Sequence, residues 1–289
     1  MERSELCTHI REIRNRLWDS EAAVMVGAGF SRNADPLHDD VDGMTAWGDL
    51  IERLHKRLTR HCGDESTSDK DEPCVADFAE VAEEFEQVFG RTELRSAIQR
   101  SVPDEDYEPG NLHEMLMELP WTDVFTTNYD RLLERTRHQV PNRSYSVVQS
   151  ASQLPKSSQP RIVKLHGDFN LPNEPLVITR EDYRTYPQNR IAFVNTVRQS
   201  LMENSFVLVG FSGDDPNFKN WMGWLRDVLA ERRHTTYLCG LFPNLSSGRR
   251  KVLLRDGIQP VDLSSAFPDE DDIDHEKALS WFFCSLYAG

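Results

Sequence analysis

The chain has 289 residues, 38% hydrophobic and 28% charged, with 48 acidic against 33 basic side chains and a formal charge of -15. That size and composition suit a globular protein of one large α/β domain or two small ones, and the acidic balance disfavours broad binding to a phosphate backbone. No apolar run approaches the roughly 20 residues of a membrane helix, and the first twenty residues carry no apolar signal core, so a cytoplasmic protein is expected.

The N-terminal segment reads as a helix, because Leu6, Ile10, Ile13 and Leu17 recur at four-three-four spacing. The continuous apolar run Ala22 to Val26 then meets Gly27-Ala28-Gly29, the pattern of a doubly buried strand entering a tight glycine loop. From about 44 to 118 the pattern becomes helical, with Leu50, Leu54 and Leu58 on one stripe and Phe78, Val81, Phe85 and Val88 on another. The polar stretch Gly63 to Glu72 reads as a mobile loop between these two helices. Strand-like runs return at Val124–Thr126, Ile162–Leu165, Phe206–Val209 and Thr235–Leu238, separated in part by helical stretches near 129–138, 190–203 and 216–232. An acidic turn, Asp269 to Glu276, leads to a last helix carrying Trp281, Phe282 and Leu286. Alternating strands and helices predict a doubly wound, parallel, Rossmann-like α/β sheet, here in one domain over 1–289 with a mainly helical insertion at about 44–118. The five cysteines (Cys7, Cys62, Cys74, Cys239, Cys284) are scattered without a CxxC pair, so they are expected to be buried thiols rather than disulfides or zinc ligands.

In such a sheet ligands bind beyond the carboxyl ends of the strands, near the topological switch point. Four loops follow strand-like runs directly: Gly27-Ala28-Gly29-Phe30-Ser31, Thr126 to Asp130, His166-Gly167-Asp168, and Gly210-Phe211-Ser212-Gly213-Asp214. The first offers backbone N–H groups to a pyrophosphate, with Ser31 as a further donor, although it completes neither GxGxxG nor a P-loop. In the second, Asn128 reads either as a helix N-cap or as an amide that positions a ribose or a water, with Asp130 bracing the loop. His166 alone of nine histidines sits at a strand's carboxyl end, where an imidazole suits general-base work. The fourth loop gives a second close backbone approach and the Ser212 hydroxyl, but Asp214 stands where a serine-hydrolase elbow needs glycine. Asp168, Asp214 and Asp215 have the chemistry to bind a metal, but no His or Glu spacing supports it and two of the three read equally as turn residues or helix caps, so no metal is expected.

Together these loops resemble the sirtuin family in order and spacing. Gly27 to Ser31 is similar to the family's GAGxS loop, Thr127-Asn128-Tyr129-Asp130 to its QNxD segment, His166-Gly167 to its catalytic HG pair, and Gly210-Phe211-Ser212 to its GTS-type loop. The resemblance spans roughly residues 20 to 240; Thr127 replaces the family's Gln, and the four zinc cysteines of the protein deacylases are missing. The nearer likeness is therefore to sirtuin-like domains of bacterial antiviral defence. It implies an NAD hydrolase, an NAD-depleting effector that releases nicotinamide and ADP-ribose. Asn128 and His166 become its catalytic pair, and Gly27, Ala28, Gly29, Ser31 and Asp130 its nucleotide cradle. Gly210, Phe211 and Ser212 lie on the cradle's far side. Control by self-assembly into a homo-oligomer or by a separate sensor protein is expected, unless the chain is a fragment of a larger one, with no direct nucleic-acid or membrane partner. Trp47, Trp221 and Trp224 read as core residues or as anchors of such an interface. An NAD-dependent lysine deacylase and a non-catalytic NAD or ADP-ribose sensor are the competing activities.

Overall fold

The computed structural model describes residues 3–38, 47–62, 75–171, 174–243, 245–268, 270 and 273–287. Its strands are β1 (Ala22–Val26), β2 (Asp35–Pro36), β3 (Tyr107–Glu108), β4 (Asp123–Thr126), β5 (Ser146–Val148), β6 (Arg161–Lys164), β7 (Ser205–Val209), β8 (Thr236–Gly240) and β9 (Ile258–Asp262). Seven of them form one sheet in the order β5-β6-β4-β1-β7-β8-β9, and all its pairings are parallel. The short pair β2–β3 is separate and antiparallel. The chain winds outward from β1 through β4 to one edge, then returns to β7 and winds to the other. The switch point is therefore between β1 and β7, and the fold is the predicted doubly wound α/β sheet.

The helices are α1 (Arg3–Trp18), α2 (Ala28–Ser31), α3 (Trp47–Cys62), α4 (Val75–Phe89), α5 (Arg91–Ser101), α6 (Asn111–Glu118), α7 (Leu132–Thr136), α8 (Arg180–Asn189), α9 (Ile191–Glu203), α10 (Pro216–Leu229), α11 (Ser247–Arg255) and α12 (His275–Tyr287). Side chains alternate across a strand, so each face of the sheet has its own core. Ala22, Val24, Val26, Val124, Ile162, Val207 and Val209 pack with the α1 stripe Leu6, Ile10, Ile13 and Leu17, with Leu112 and Leu116 of α6, and with Phe282 and Phe283 of α12. Ala23, Met25, Phe125, Val163, Phe206 and Leu208 face the other way, onto Tyr183 and Tyr186 of α8, Phe193 and Val197 of α9, and Trp221 and Leu225 of α10. A third cluster joins Leu50, Leu54, Phe78, Phe85, Leu94 and Ile98 of α3–α5 to Tyr129, Leu176 and Ile178. Within the stretch at about 44–118, then, α3–α5 pack on loops of the sheet's carboxyl edge, while α6 belongs to the sheet's own core.

Several expectations are corrected. The helical stretch near 129–138 shrinks to α7, because the backbone of 128–130 is engaged in other hydrogen bonds described below. Cys239 is buried in β8, but Cys7 and Cys284 are exposed because they lie off the apolar stripes of α1 and α12. Trp221 is buried beside Tyr186 at 6.0 Å between ring centroids, whereas Trp224 is partly buried under the Arg198 guanidinium at 4.6 Å. The loop Gly63 to Glu72, the side chains of Cys62, Cys74 and Trp47, and part of the acidic turn at 269–276 lie outside the described residues.

The switch-point loops meet backbone to backbone. Gly27 N–H donates to Val209 O (3.1 Å) and Gly29 N–H to Gly210 O (3.0 Å). Gly210 adopts φ +59°, and a Cβ there would meet Phe30 N at 2.2 Å. A Cβ on Gly27 would lie 2.5 Å from Gly210 O and 2.8 Å from Phe211 Cα. Gly27→Ala is therefore expected to lower stability by about 1–3 kcal/mol through overpacking, read as a lower thermal midpoint. Gly223→Ala, inside α10 with nothing within 4 Å of the new Cβ, should instead raise it slightly.

Candidate functional site

Register carries the four loops to one level. Val26 pairs with both Thr126 and Val209, and Thr126 pairs with Lys164. The strand ends thus stand side by side, and Gly27, Asn128, His166 and Gly210 follow within one or two residues of those rungs. Leu165 N–H donates to Thr126 O at 2.8 Å and continues the ladder one step past β6, which keeps Asn128 and His166 on neighbouring strand ends.

Asn128 is not the N-cap of α7, whose first residue is Leu132. Its backbone N–H donates to Thr126 Oγ1 (3.0 Å), and the Thr126 hydroxyl donates on to Val26 O (2.9 Å). Its side-chain Nδ2 donates to Ser31 Oγ (2.9 Å), and Ser31 Oγ donates to Asp130 Oδ2 (2.7 Å). Asp130 Oδ1 accepts from Leu132 N–H (3.2 Å). Three residues from two predicted motifs therefore form one buried chain of hydrogen bonds. Asp130 is thereby tied to the Ser31 hydroxyl and to the start of α7. Asn128 Oδ1 is buried with no hydrogen-bond partner among the described residues, an acceptor available to a ligand hydroxyl or a water.

Under this loop is a lysine that sequence reasoning passed over. Lys164 is fully buried at the end of β6, and its Nζ donates to Asp130 O (2.6 Å) and Tyr129 O (3.3 Å). It lies 2.9 Å from Glu134 Oε1 and 3.1 Å from Asp168 Oδ2. Burial favours the neutral amine, but Glu134, Asp168 and Asp130 outweigh it and hold the lysine pKa above its usual value. Burial likewise pushes Asp130 and Glu134 upward against the pull of Lys164. For Asp168, burial is overcome by Lys164, the Asn170 N–H at 2.7 Å and the Gln149 amide at 2.8 Å, so its carboxyl is held below the usual range. Asp168 is thus an anchor of the His166 loop. The one signal in the sequence was a charged residue at an inward position of an apolar strand.

His166 is buried, and its ring is flanked by Tyr183 at 5.4 Å and Tyr186 at 6.3 Å, both edge-on. Burial lowers its pKa more than Asp215 raises it, so the neutral imidazole is favoured over what an exposed histidine would show. Neither ring nitrogen has a hydrogen-bond partner among the described residues. In the fourth loop Phe211 is buried, while Ser212 is exposed and accepts from Asp214 N–H (3.2 Å). Asp214 itself is held by Lys219 (2.9 Å) and Arg249 (2.8 Å), an anchoring role consistent with its reading as a turn residue. Among the described residues, no three His, Cys, Asp or Glu side chains are grouped so as to hold a metal.

The family model for the SIR2-like domain matches residues 122–261, which include the second, third and fourth loops. The chain is 27% identical over 232 residues to the "NAD(+) hydrolase ThsA" of Acinetobacter baumannii (strain 532279), covering 79% of this chain and 44% of that protein. It is 26% identical over 233 residues to the protein of that name from Bacillus cereus (strain MSX-D12), covering 78% and 44%. It is also 21% identical over 275 residues to "Defense-associated sirtuin 2" of Bacillus subtilis, covering 94% of this chain and 26% of that one. The chain spans less than half the length of these relatives.

The residues present at the carboxyl edge would fit a dinucleotide: a buried acceptor on Asn128 lacks a partner among the described residues, and both glycine loops meet without side chains between them. Their support depends on Lys164. Lys164→Met would leave Glu134 and Asp168 buried without their cation, at a cost of about 3–5 kcal/mol at neutral pH. The unopposed carboxyls would then bind protons more readily in the folded state than in the unfolded one. Urea denaturation should therefore show the deficit shrinking as pH falls through the carboxylate range.

Proposed function

We propose that this protein is an NAD+ glycohydrolase, cleaving the nicotinamide–ribose bond to release nicotinamide and ADP-ribose. The observation that carries the reading is the joining of Asn128, Ser31 and Asp130 in one buried chain beside the strand end that bears His166. The likeness to relatives named as NAD(+) hydrolases supports the same chemistry.

Nicotinamide is cationic in NAD+ and leaves without needing a proton, so the protein's tasks are to hold the ribose, position a water and take up that water's proton. Asn128 orients the ribose or the water through its free carbonyl oxygen. His166, neutral because it is buried, is the general base. Gly27, Ala28, Gly29 and Ser31 cradle the diphosphate side, Asp130 fixes Ser31, and Gly210, Phe211 and Ser212 form the far wall. The name of the Bacillus subtilis relative, a defence-associated sirtuin, supports a role in defence, which we read as that of an NAD-depleting effector against phage. An active NAD hydrolase endangers its own cytoplasm, so activity is gated by homo-oligomer assembly or by a separate sensor protein. No described helix is long and apolar enough to cross a membrane.

Nicotinamide release from NAD+, measured across protein concentration without any acyl peptide, tests the reading. Asn128→Ala and His166→Ala should each lower turnover by about 10²-fold or more while keeping the wild-type melting transition. Because the His166 pKa is lowered, the activity of the wild type should persist below pH 6.5 before its acid limb falls. Release that requires an acylated peptide would indicate the deacylase instead, and tight binding without turnover would indicate the sensor.

A further inference from the structure

We propose that Asp215 is the positioning residue of His166: its carboxylate faces the imidazole at Nε2 and leaves Nδ1 as the atom that accepts the proton. This rests on the reading of His166 as the general base. Asp215 immediately precedes α10 and is buried. Oδ1 accepts from Phe218 N–H at 2.9 Å and caps the helix. Oδ2 accepts from the Tyr183 hydroxyl at 3.2 Å and lies 3.5 Å from His166 Nε2. The carboxylate is thus fixed by a helix start on one side and a phenol on the other, and its remaining capacity points at the imidazole.

The ring is held from several directions. The Tyr183 and Tyr186 rings flank it, and Tyr186 donates to Leu165 O at 3.2 Å, tying α8 to the strand that carries His166. The charges acting on the imidazole are Asp215 at the head of α10, Asp182 on α8, and Arg190 between α8 and α9. The two carboxylates favour the imidazolium, whereas Arg190 and burial oppose it. A separation of 3.5 Å is longer than a formed hydrogen bond, as is common for catalytic pairs without substrate. Nδ1 is buried without a partner among the described residues. With the Nε2 proton facing Asp215, Nδ1 carries the lone pair. As a proton arrives there, the adjacent carboxylate stabilises the imidazolium.

Asp215→Asn tests this, because asparagine caps α10 as well as aspartate does but carries no charge. Asp215→Ser, also a capping residue, is the companion should the first variant melt early. Histidine-¹⁵N NMR, with His166 identified by the signals missing from His166→Ala, reads the tautomer and titration midpoint directly. The expected result is a wild-type ring protonated at Nε2 at neutral pH, with that preference lost and the midpoint lowered in the variants. In the NAD+ assay kcat should fall about 10²-fold, KM should change less than about threefold, and the acid limb should move to lower pH. A His166 tautomer and midpoint unchanged by both substitutions would overturn the proposal. NMR does not depend on turnover, so a wild-type protein that released no nicotinamide would defeat the glycohydrolase reading while the resonances still decided the role of Asp215.

Discussion

One buried ammonium group organises the carboxyl edge of this sheet. Lys164 ends β6 with no exposure to solvent, and its charge is met by Glu134, Asp168 and two backbone carbonyls of the Asn128–Asp130 loop. A charge taken out of water is costly unless it is paired and hydrogen-bonded, so this lysine ties together the groups that surround it. It fixes the loop after β4 from below and anchors, through Asp168, the loop that follows His166. Two strand ends 38 residues apart in sequence, at Thr126 and Lys164, are thereby locked to one local geometry.

The second constraint is the absence of side chains where β1 and β7 end. Gly27 and Gly29 lie so close to Gly210 that the two loops share hydrogen bonds directly. Ser31, at the end of that first loop, then reaches Asn128 and Asp130 in the loop after the neighbouring strand β4. From the other side, α3–α5 close over the same edge. Arg91 donates to Leu176 O at 2.7 Å and Arg95 to Phe169 O at 2.6 Å, clamping the segment after His166. The helical insertion and the sheet thus meet at the loops of the proposed site.

Most of this edge was legible because continuous apolar runs ended in glycine, asparagine or histidine. Such runs mark doubly buried strands, and α1, β1, β4, β6, β7, β8 and α12 fall where the apolar pattern put them. The two outermost strands were not legible. β5 has three residues, and β9 carries Gln259 and Pro260, which an edge strand tolerates but which read as a loop. Helix α8, with Pro187 inside it, was hidden for a similar reason, although its Thr179 cap and Tyr183 prove central to the surroundings of His166. Lys164 and Asp215 stood in plain view, but the partners that give them meaning come from Glu134, Tyr183 and His166, and pairing over such distances leaves no local pattern.

The central claim is that the four loops at one edge of the sheet together make the nucleotide site. Hydrogen exchange of the His166→Ala protein with and without NAD+ tests it most directly, because by the proposed mechanism that variant still binds the dinucleotide while consuming it far more slowly. The account predicts added protection in 27–31, 128–130, 166–168 and 210–212, and unchanged exchange at Arg232 to Thr235, on the opposite edge near the start of β8. Protection confined to that opposite edge, or none at saturating NAD+, would contradict it.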